Sequence, residues 1–409
     1  MIQGILVITH HFPPESVGGS TRINELIKIL ARVIGKYHRK QIIVLCPPAT
    51  FPFGKYKRTK MLFKREDSTS LATIYRVWTF QPVYSKPTFN QRVLYYLMFP
   101  IVALPLYIPL MVGYRIKYVL TTTPPLTTLV LGFLAKFLGR KWIVDIRDLW
   151  LEVAIDLGYL GKKSMLYRIF KILRQLALFK CDVIISNSQA ILLYISKLIL
   201  NKEKLLYVPL IIDLDAFKPQ KKNYAHVEHQ IIYAGNLGSA QNLKILISAM
   251  EILATRNPDI KLLIIGGGEE EEVLKKMVQR LRLKNVIFLG KKSRDEIPDY
   301  LARSSIGIVA LGAQKSLYYA IPTKLFEYMA CGLPIIAYGA SIEVHRILKK
   351  SNAGIYIGAG DPKKLADTIQ DLIANKELLN RMRINAIRFI RQHCDPSHIV
   401  NLLKRKIFK

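Results

Sequence analysis

Cysteine is scarce in this sequence of 409 residues, and its placement excludes two kinds of site. The four cysteines, at positions 46, 181, 331 and 394, form no pair at the spacing of a metal site or a disulfide framework. The amino end also lacks the basic segment and the small-residue cleavage site of a secretory signal. We therefore expect an intracellular chain whose thiols are reduced and structural.

Acidic residues are also few, with 29 Asp and Glu against 61 Lys and Arg and a formal net charge of +32. Such a charge attracts an anionic partner, which could be nucleic acid, phospholipid headgroups or phosphorylated substrates. The sequence has no helix with a base-reading pattern and no basic run interleaved with aromatic residues. We therefore expect no nucleic-acid partner.

Charge is absent from residues 93–114, which are long enough to cross a hydrocarbon core as one helix. Pro100, Pro105 and Pro109 each remove a helix donor and favour a kinked segment in the membrane interface over a straight span. Basic residues flank both ends. A buried domain helix that leads into a parallel strand explains the same segment, so both interpretations stay open.

Short β-branched runs alternate with amphipathic stretches, a pattern typical of parallel sheets with crossover helices. A polar, basic stretch at 218–230 interrupts the pattern, which then begins again. This length and pattern predict an α/β protein with Rossmann-like domains at 1–210 and 211–386. The predicted strands are 4–9, 41–46, 73–77, 118–121, 141–145 and 183–186, then 230–234, 261–265, 285–289, 306–310, 334–337 and 354–357.

Two clusters in the first half follow strands, where ligands bind in such sheets. After the first strand, Gly18 and Gly19 permit close backbone approach at the start of a helix that favours an anion. The same loop holds His11 and Glu15, which we expect to contact the acceptor or a phosphate. At 145–150, Asp148 could orient an acceptor hydroxyl or act as a base, and Arg147 could hold a phosphate. A structural ion pair that locks the loop is the alternative for this second cluster.

Glycine turns follow two strands of the second half. Gly235 and Asn236 form one such turn, and Gly266 begins the next, each before a predicted helix. No complete G-x-G-x-x-G with a ribose-binding acid is present, so the dinucleotide fingerprint is excluded.

The stretch 320–337 is the most informative. Because Pro322 suits a first helical turn, Thr323, Lys324 and Leu325 open a helix whose free amides favour a diphosphate, to which Lys324 adds its charge. Glu327 lies on the face of Lys324 and can accept hydrogen bonds from a ribose diol. An ordinary ion pair between Lys324 and Glu327 is the alternative.

The sequence resembles glycosyltransferase family 4, the retaining GT-B enzymes, and within it the bacterial branch that acts in capsule, O-antigen and exopolysaccharide assembly. The resemblance covers nearly the whole chain. It rests on features that occur in the family's order: the loop with Gly18 and Gly19, the cluster at 145–150, the turn at 233–237, the helix at 322–330 and the turn at 332–334.

The resemblance implies two Rossmann-like domains facing across a cleft, with the donor in the second and a C-terminal helix, about 387–409, that crosses back to the first. The donor would be a nucleotide diphosphate sugar, for which we expect UDP. Its ribose would lie on Glu327, its base near Gly290 and Lys291, and its diphosphate near Lys324 and the Gly18–Gly19 loop. The other residues expected to bind the donor are Gly235, Asn236, Gly266, Thr323 and Leu325.

Transfer with retention is thought to use no enzyme nucleophile, no metal and no cofactor, because the departing diphosphate helps the acceptor hydroxyl lose its proton. Stabilising charge on that leaving group is then the main catalytic task. The implied reaction is hexosyl transfer to a saccharide linked to polyprenyl diphosphate. We expect the enzyme to be peripheral or monotopic on an anionic membrane, at the cytoplasmic face of the plasma membrane.

Two departures from the family pattern leave other functions open. Tyr319 stands where the family has the first of two glutamates, and Asn236 and Gln241 stand near the places of a basic pair that grips diphosphate. A binding protein of this fold that has lost turnover is one alternative. A nucleotide-sugar epimerase is another.

Overall fold

The chain forms two compact units in a computed structural model, Met1–Ile211 with Pro396–Lys409, and Ile212–Asp395. The described residues are 4–15, 18–35, 41–51, 53–69, 71–82, 87–156, 158–219 and 229–408. Most of the stretch predicted as a linker, 220–228, lies outside them.

A parallel sheet forms the centre of the first unit. Among its described residues the strands are β1 (Gly4–Ile8), β2 (Ile42–Cys46), β3 (Phe63–Thr69), β4 (Ala72–Val77), β5 (Ile116–Thr123), β6 (Lys141–Ile146), β7 (Val183–Ser186) and β8 (Leu205–Tyr207). Their order is β3–β4–β2–β1–β5–β6–β7–β8, and β3 alone runs antiparallel to its neighbour. The central strands are buried on both faces, as helix-covered parallel strands are.

Helices cover both faces of this sheet. They are α1 (Gly18–Ile34), α2 (Phe89–Gly113), α3 (Leu129–Phe137), α4 (Trp150–Asp156), α5 (Met165–Lys180), α6 (Gln189–Ser196) and α14 (Pro396–Lys406). The helices α1 and α14 share one hydrophobic core with one face of the sheet, while α2 and α3 share another core with the opposite face. The inner side of the helix that contains the segment 93–114 is therefore packed in the core of the first unit, as expected for a buried domain helix.

The returning C-terminal segment begins later than the expected position of about 387. Ile399, Val400 and Leu403 of α14 are buried in the core of the first unit. The preceding helix, α13 (Lys376–His393), places Leu379 and Met382 in the core of the second unit instead. The crossing therefore starts at Pro396, because the apolar face of α13 is already covered.

A second parallel sheet organises the other unit. Its described strands are β9 (Gln230–Ala234), β10 (Lys261–Ile265), β11 (Val286–Gly290), β12 (Ile306–Ala310), β13 (Ile335–Tyr338) and β14 (Gly354–Tyr356), in the order β11–β10–β9–β12–β13–β14. Its other helices are α7 (Lys244–Arg256), α8 (Glu271–Arg280), α9 (Ile297–Ala302), α10 (Thr323–Ala330), α11 (Ile342–Ser351) and α12 (Pro362–Ala374). The winding direction reverses between β9 and β12, and a crevice at such a reversal is where open α/β sheets bind ligands.

All twelve predicted strands occur in the structure, with ends shifted by a few residues. Among the described strands, the sequence pattern missed β3 and β8. Four of the seven residues of β3 are charged, so it lacks the apolar signature of a buried strand. Strand β8 has three residues, too few for a period to be read.

Candidate functional site

Three glycine turns meet at the carboxyl ends of β9, β10 and β11. The amide of Gly235 donates to the carbonyl of Ile265 at 2.8 Å, and the amide of Gly266 donates to the carbonyl of Gly290 at 2.9 Å. A side chain on Gly266 would collide with the carbonyl oxygen of Gly235, so only glycine allows this approach. The predicted donor residues Gly235, Gly266 and Gly290 therefore lie together on one edge of the second sheet.

The amino end of α10 lies beside the first of these turns. The Lys324 ammonium sits 3.7 Å from the centroid of the Tyr233 ring, a cation–π contact. A Cβ on Gly235 would collide with the same Nζ. Desolvation lowers the pKa of the half-buried Lys324 to about 7, and the carboxylate of Glu327 opposes this shift. An anion that arrives here meets a cation held by a short backbone turn.

Glu327 follows one turn later on α10 and pairs with an arginine that the sequence analysis did not single out. Its Oε1 accepts from Nη2 of Arg294 at 3.1 Å. Desolvation raises the pKa of Glu327, against the opposing charges of Arg294 and Lys324. Thus Lys324 stacks on Tyr233 while Glu327 pairs with Arg294, and the simple ion pair between them is not the main contact of either.

Helix α10 is fixed to the sheet where β9 and β12 separate. These strands pair through Ile231 with Ile306 and Ile232 with Gly307, and the amide of Ala234 beyond them donates to the Tyr328 hydroxyl at 2.7 Å. The Tyr328 ring packs where Gly307 has no side chain. One buried tyrosine in the second half of α10 thus attaches this helix to the sheet at its reversal point.

The remaining predicted donor residues divide into two groups. Asn236 and Lys291 are exposed beside the glycine turns, and Thr323 is half-buried as the first residue of α10. Leu325 requires a correction, because its side chain is fully buried and its amide donates to the carbonyl of Pro322. It belongs to the core and has no group free for a ligand.

In the first unit, Glu15 also requires a correction. One carboxylate oxygen accepts from the amides of Thr50 and Phe51 at 2.7 and 2.8 Å, and the other contacts Nδ1 of His11 at 2.7 Å. The carboxyl group is buried and fully used by the protein. Glu15 therefore positions the half-buried His11 and does not reach an acceptor itself.

The residues of the cluster at 145–150 differ in role: Asp145 and Arg147 make buried contacts, whereas Asp148 is open to solvent. Asp145 is buried and pairs at 2.9 Å with Arg22 of α1, so it forms a structural ion pair, but with a residue outside the cluster. Arg147 is buried and donates to the carbonyls of Thr123 and Pro124 at 3.1 and 3.0 Å. Asp148 is exposed.

One nitrogen of the Arg147 guanidinium, Nη1, is buried and has no hydrogen-bond partner among the residues that the structure describes. It lies where a Cβ of Gly19 would sit, at the start of the 17-residue helix α1. A buried, unpaired guanidinium N–H at a helix amino end suits an anion. The structure thus brings together Gly18, Gly19 and Arg147.

Arg294 and Tyr233 were missed as site residues for different reasons. Arg294 lies in a polar loop before α9, and only the folded sheet brings it to Glu327. Tyr233 sits in a buried strand, where an aromatic ring is ordinary core. Its position directly before the Gly235 turn was the available signal.

Within the described residues, no group of three or more His, Cys, Asp or Glu side chains could hold a metal ion. The sequence Asp213-Leu214-Asp215 has the D-x-D spacing of some metal sites, but Asp213 accepts from the amides of Asp215 and Ala216 at 3.2 and 3.1 Å. It closes a turn.

Comparison with known proteins finds similarity to sugar-transferring enzymes. Residues 215–389 match the family model described as Glycosyl transferases group 1. An uncharacterized glycosyltransferase of Haemophilus influenzae is 29% identical over 163 residues, which are 40% of this chain and 44% of that protein. The putative colanic acid biosynthesis glycosyl transferase WcaI of Escherichia coli is 23% identical over 80% of this chain and 81% of its own length.

Solved structures share the fold over the whole chain. The sucrose-phosphate synthase of Thermosynechococcus elongatus has a TM-score of 0.75 at 17% identity, covering 100% of this chain and 99% of its own. Anabaena Alr3699/HepE, solved with UDP, has a TM-score of 0.70 at 18% identity, covering 99% of this chain and 100% of its own. The prediction of two parallel-sheet α/β units of the GT-B class is therefore confirmed.

Proposed function

We propose that this chain is a metal-independent glycosyltransferase that moves a hexose, with retention, from a UDP-sugar to a lipid-linked saccharide. The reaction would serve the synthesis of a cell-surface polysaccharide at the cytoplasmic face of the plasma membrane. The similarity to glycosyltransferases supports the reaction class. The name of WcaI supports the pathway, and the UDP complex of Anabaena HepE supports the nucleotide.

The observation that carries the proposal is the position of Lys324. Its ammonium lies against the Gly235 turn and above the Tyr233 ring, at the amino end of α10. Glu327, one turn later, offers a carboxylate to a ribose diol and is oriented by Arg294. A diphosphate and its ribose can therefore be recognised by adjacent turns of one helix.

The chemistry requires charge stabilisation more than a nucleophile. The bond between the anomeric carbon and the β-phosphate oxygen breaks, and the acceptor oxygen forms its bond on the same face of the sugar. The acceptor proton passes to the departing diphosphate. Lys324 and the free amides of α10 stabilise the negative charge that develops on that group. Exposed Asp148 is the candidate to orient the acceptor hydroxyl.

Two glycine variants test the donor site. Gly235→Ala places a methyl group against the Lys324 ammonium, whereas Gly358→Ala, also at positive φ (+83°), meets open space. Both should lower stability slightly, because both force an L-residue into a disfavoured conformation. Calorimetry should show at least ~10-fold weaker UDP binding for Gly235→Ala alone. Equal UDP affinity in both variants would contradict a diphosphate site at Lys324.

A transfer assay tests the reaction. Membranes, labelled UDP-sugars and the protein are incubated, and Glu327→Ala is compared with Glu272→Ala, which removes an exposed carboxylate from α8. We expect transfer to fall at least ~100-fold only in Glu327→Ala, because a buried hydrogen-bonding carboxylate is lost. Equal transfer by both variants removes Glu327 from the site. Sugar conversion without an acceptor would indicate an epimerase, and no UDP binding would indicate an inactive scaffold.

A further inference from the structure

Helix α5 carries an apolar stripe that no other part of the described chain covers. Met165, Ile169, Ile172, Leu176 and Phe179 recur at helical spacing, and each is between 48% and 77% exposed. The opposite side of α5 supplies the residues that pack inward, among them Phe170, Ala177 and Leu178. The stripe is thus separate from the face that holds α5 in the fold, and it leaves large side chains in water.

Helix α2 continues this exposed surface. It is 25 residues long, and its inner side packs in a core that includes Phe99, Ala103 and Tyr107. Its outer side exposes Leu94, Leu97, Ile101, Leu104, Ile108 and Val112 by 37 to 69%. A helix that is apolar all round needs cover on all sides. The outer side of α2 has no such cover from the described residues.

The two stripes belong to one face of the first unit. Helix α3 packs against both α2 and α5, and its last residue, Phe137, is 87% exposed. Arg92 at the start of α2 also lies over the ring of Tyr159, just before α5, at 5.7 Å from the centroid. The exposed side chains of α2, α3 and α5 form what we call the outer apolar face, and it is far broader than the scattered apolar residues of an ordinary surface.

Charge around α5 identifies the occupant. Residues 158–181 contain six Lys and Arg and no acidic residue. Arg168, Lys171 and Lys180 are exposed on α5 itself. An apolar strip flanked by cations matches the boundary between anionic headgroups and acyl chains. A second copy of this surface would bring like charges together, which disfavours self-association.

We propose that the outer apolar face docks on an anionic phospholipid bilayer, with α5 and the outer side of α2 entering the interface side by side. The proposal rests on the proposed function for its purpose, since a lipid-linked acceptor is presented at such a surface. The binding itself depends only on α2, α3 and α5. None of these residues belongs to the candidate donor site.

The test uses flotation of the full chain with vesicles of phosphatidylcholine alone or mixed with phosphatidylglycerol. The test variant is Ile169→Gln/Ile172→Gln/Phe179→Gln. The control is Val273→Gln/Ile384→Gln, which changes side chains of similar exposure, 49 and 57%, in the second unit. We expect at least ~10-fold weaker binding to mixed vesicles for the α5 variant and no change for the control. A charge variant, Lys171→Glu/Lys180→Glu, should lose the preference for phosphatidylglycerol.

The outcomes for the docking surface and for the donor site can be told apart. Unchanged flotation of the α5 variant overturns the docking surface, and so does a concentration-dependent dimer in solution that the α5 substitutions abolish. UDP calorimetry is run on the same preparations to report on the donor site, and an unchanged thermal transition of the first unit shows that the α5 variant is folded. Vesicle binding without UDP binding would sink the proposed function and leave the docking surface intact. UDP binding without vesicle binding would overturn the docking surface and leave the proposed function intact.

Discussion

The Lys324 ammonium has a pKa of about 7 and is therefore partly neutral in the free protein at neutral pH. A diphosphate placed beside it favours the charged form, so binding should draw a proton from solution. UDP-glucose is the suitable probe, because free UDP has a terminal phosphate that titrates near pH ~6. Its affinity should be constant well below pH ~7 and should fall above it, towards ~10-fold per pH unit.

Calorimetry in two buffers of different ionisation enthalpy measures this proton uptake. At about pH 8 the wild-type protein should take up close to ~1 proton per UDP-glucose bound, and Lys324→Met should take up none. The variant should also bind with an affinity that no longer depends on pH. Equal proton uptake in the two proteins would mean that another group titrates.

At the scale of residues, the sequence predicted the site residues whose role follows from the helix or turn in which they lie. Lys324 and Glu327 could be placed because a proline marked the start of a helix and fixed their face. Arg294 could not be placed, because its contact with Glu327 joins positions 33 residues apart. Glu15 and Leu325 were misassigned for a similar reason, since the amides that Glu15 accepts from and the core that buries Leu325 come from distant parts of the chain.

At the scale of elements, one hydroxyl group joins α10 to the end of β9. The Tyr328 Oη accepts from the amide of Ala234 at 2.7 Å and donates to its carbonyl at 3.3 Å, where β9 has already separated from β12. Tyr328→Phe leaves that buried amide unpaired and should lower the free energy of unfolding by ~1–3 kcal/mol. Urea unfolding compares it with Tyr318→Phe, whose ring is 43% exposed. Equal stabilities of the two variants would contradict this role.

The elements of the sheets could be predicted because buried parallel strands are continuous apolar runs bounded by turns. Helix α2 shows the limit of that approach. Its composition predicted both a buried helix and an interfacial one, and the structure gives it an inner side in the core and an outer side in solvent. The neighbours β4, β5 and α3 determine which side of α2 is covered, and the sequence of α2 alone does not identify them.

At the scale of the whole molecule, the two units differ in how many segments of the chain form them. The second unit is one uninterrupted segment, Ile212–Asp395, while the first is closed by α14 from the far end of the chain. All residues proposed to hold the nucleotide near Lys324 belong to the second unit. Because each unit has its own core, we expect two unfolding transitions that respond to different changes.

Scanning calorimetry of Leu403→Ala tests this independence. Leu403 is 1% exposed in the core between α14 and α1, so its truncation should destabilise the first unit by ~2–5 kcal/mol. Lys404→Ala, on the exposed side of α14, should change little. UDP should raise only the other transition, by ~2.7 kcal/mol of stability at a hundredfold excess over Kd, in both variants and the wild type. A single transition that both UDP and Leu403→Ala shift would show that the units unfold as one, because neither core could then be lost without the other.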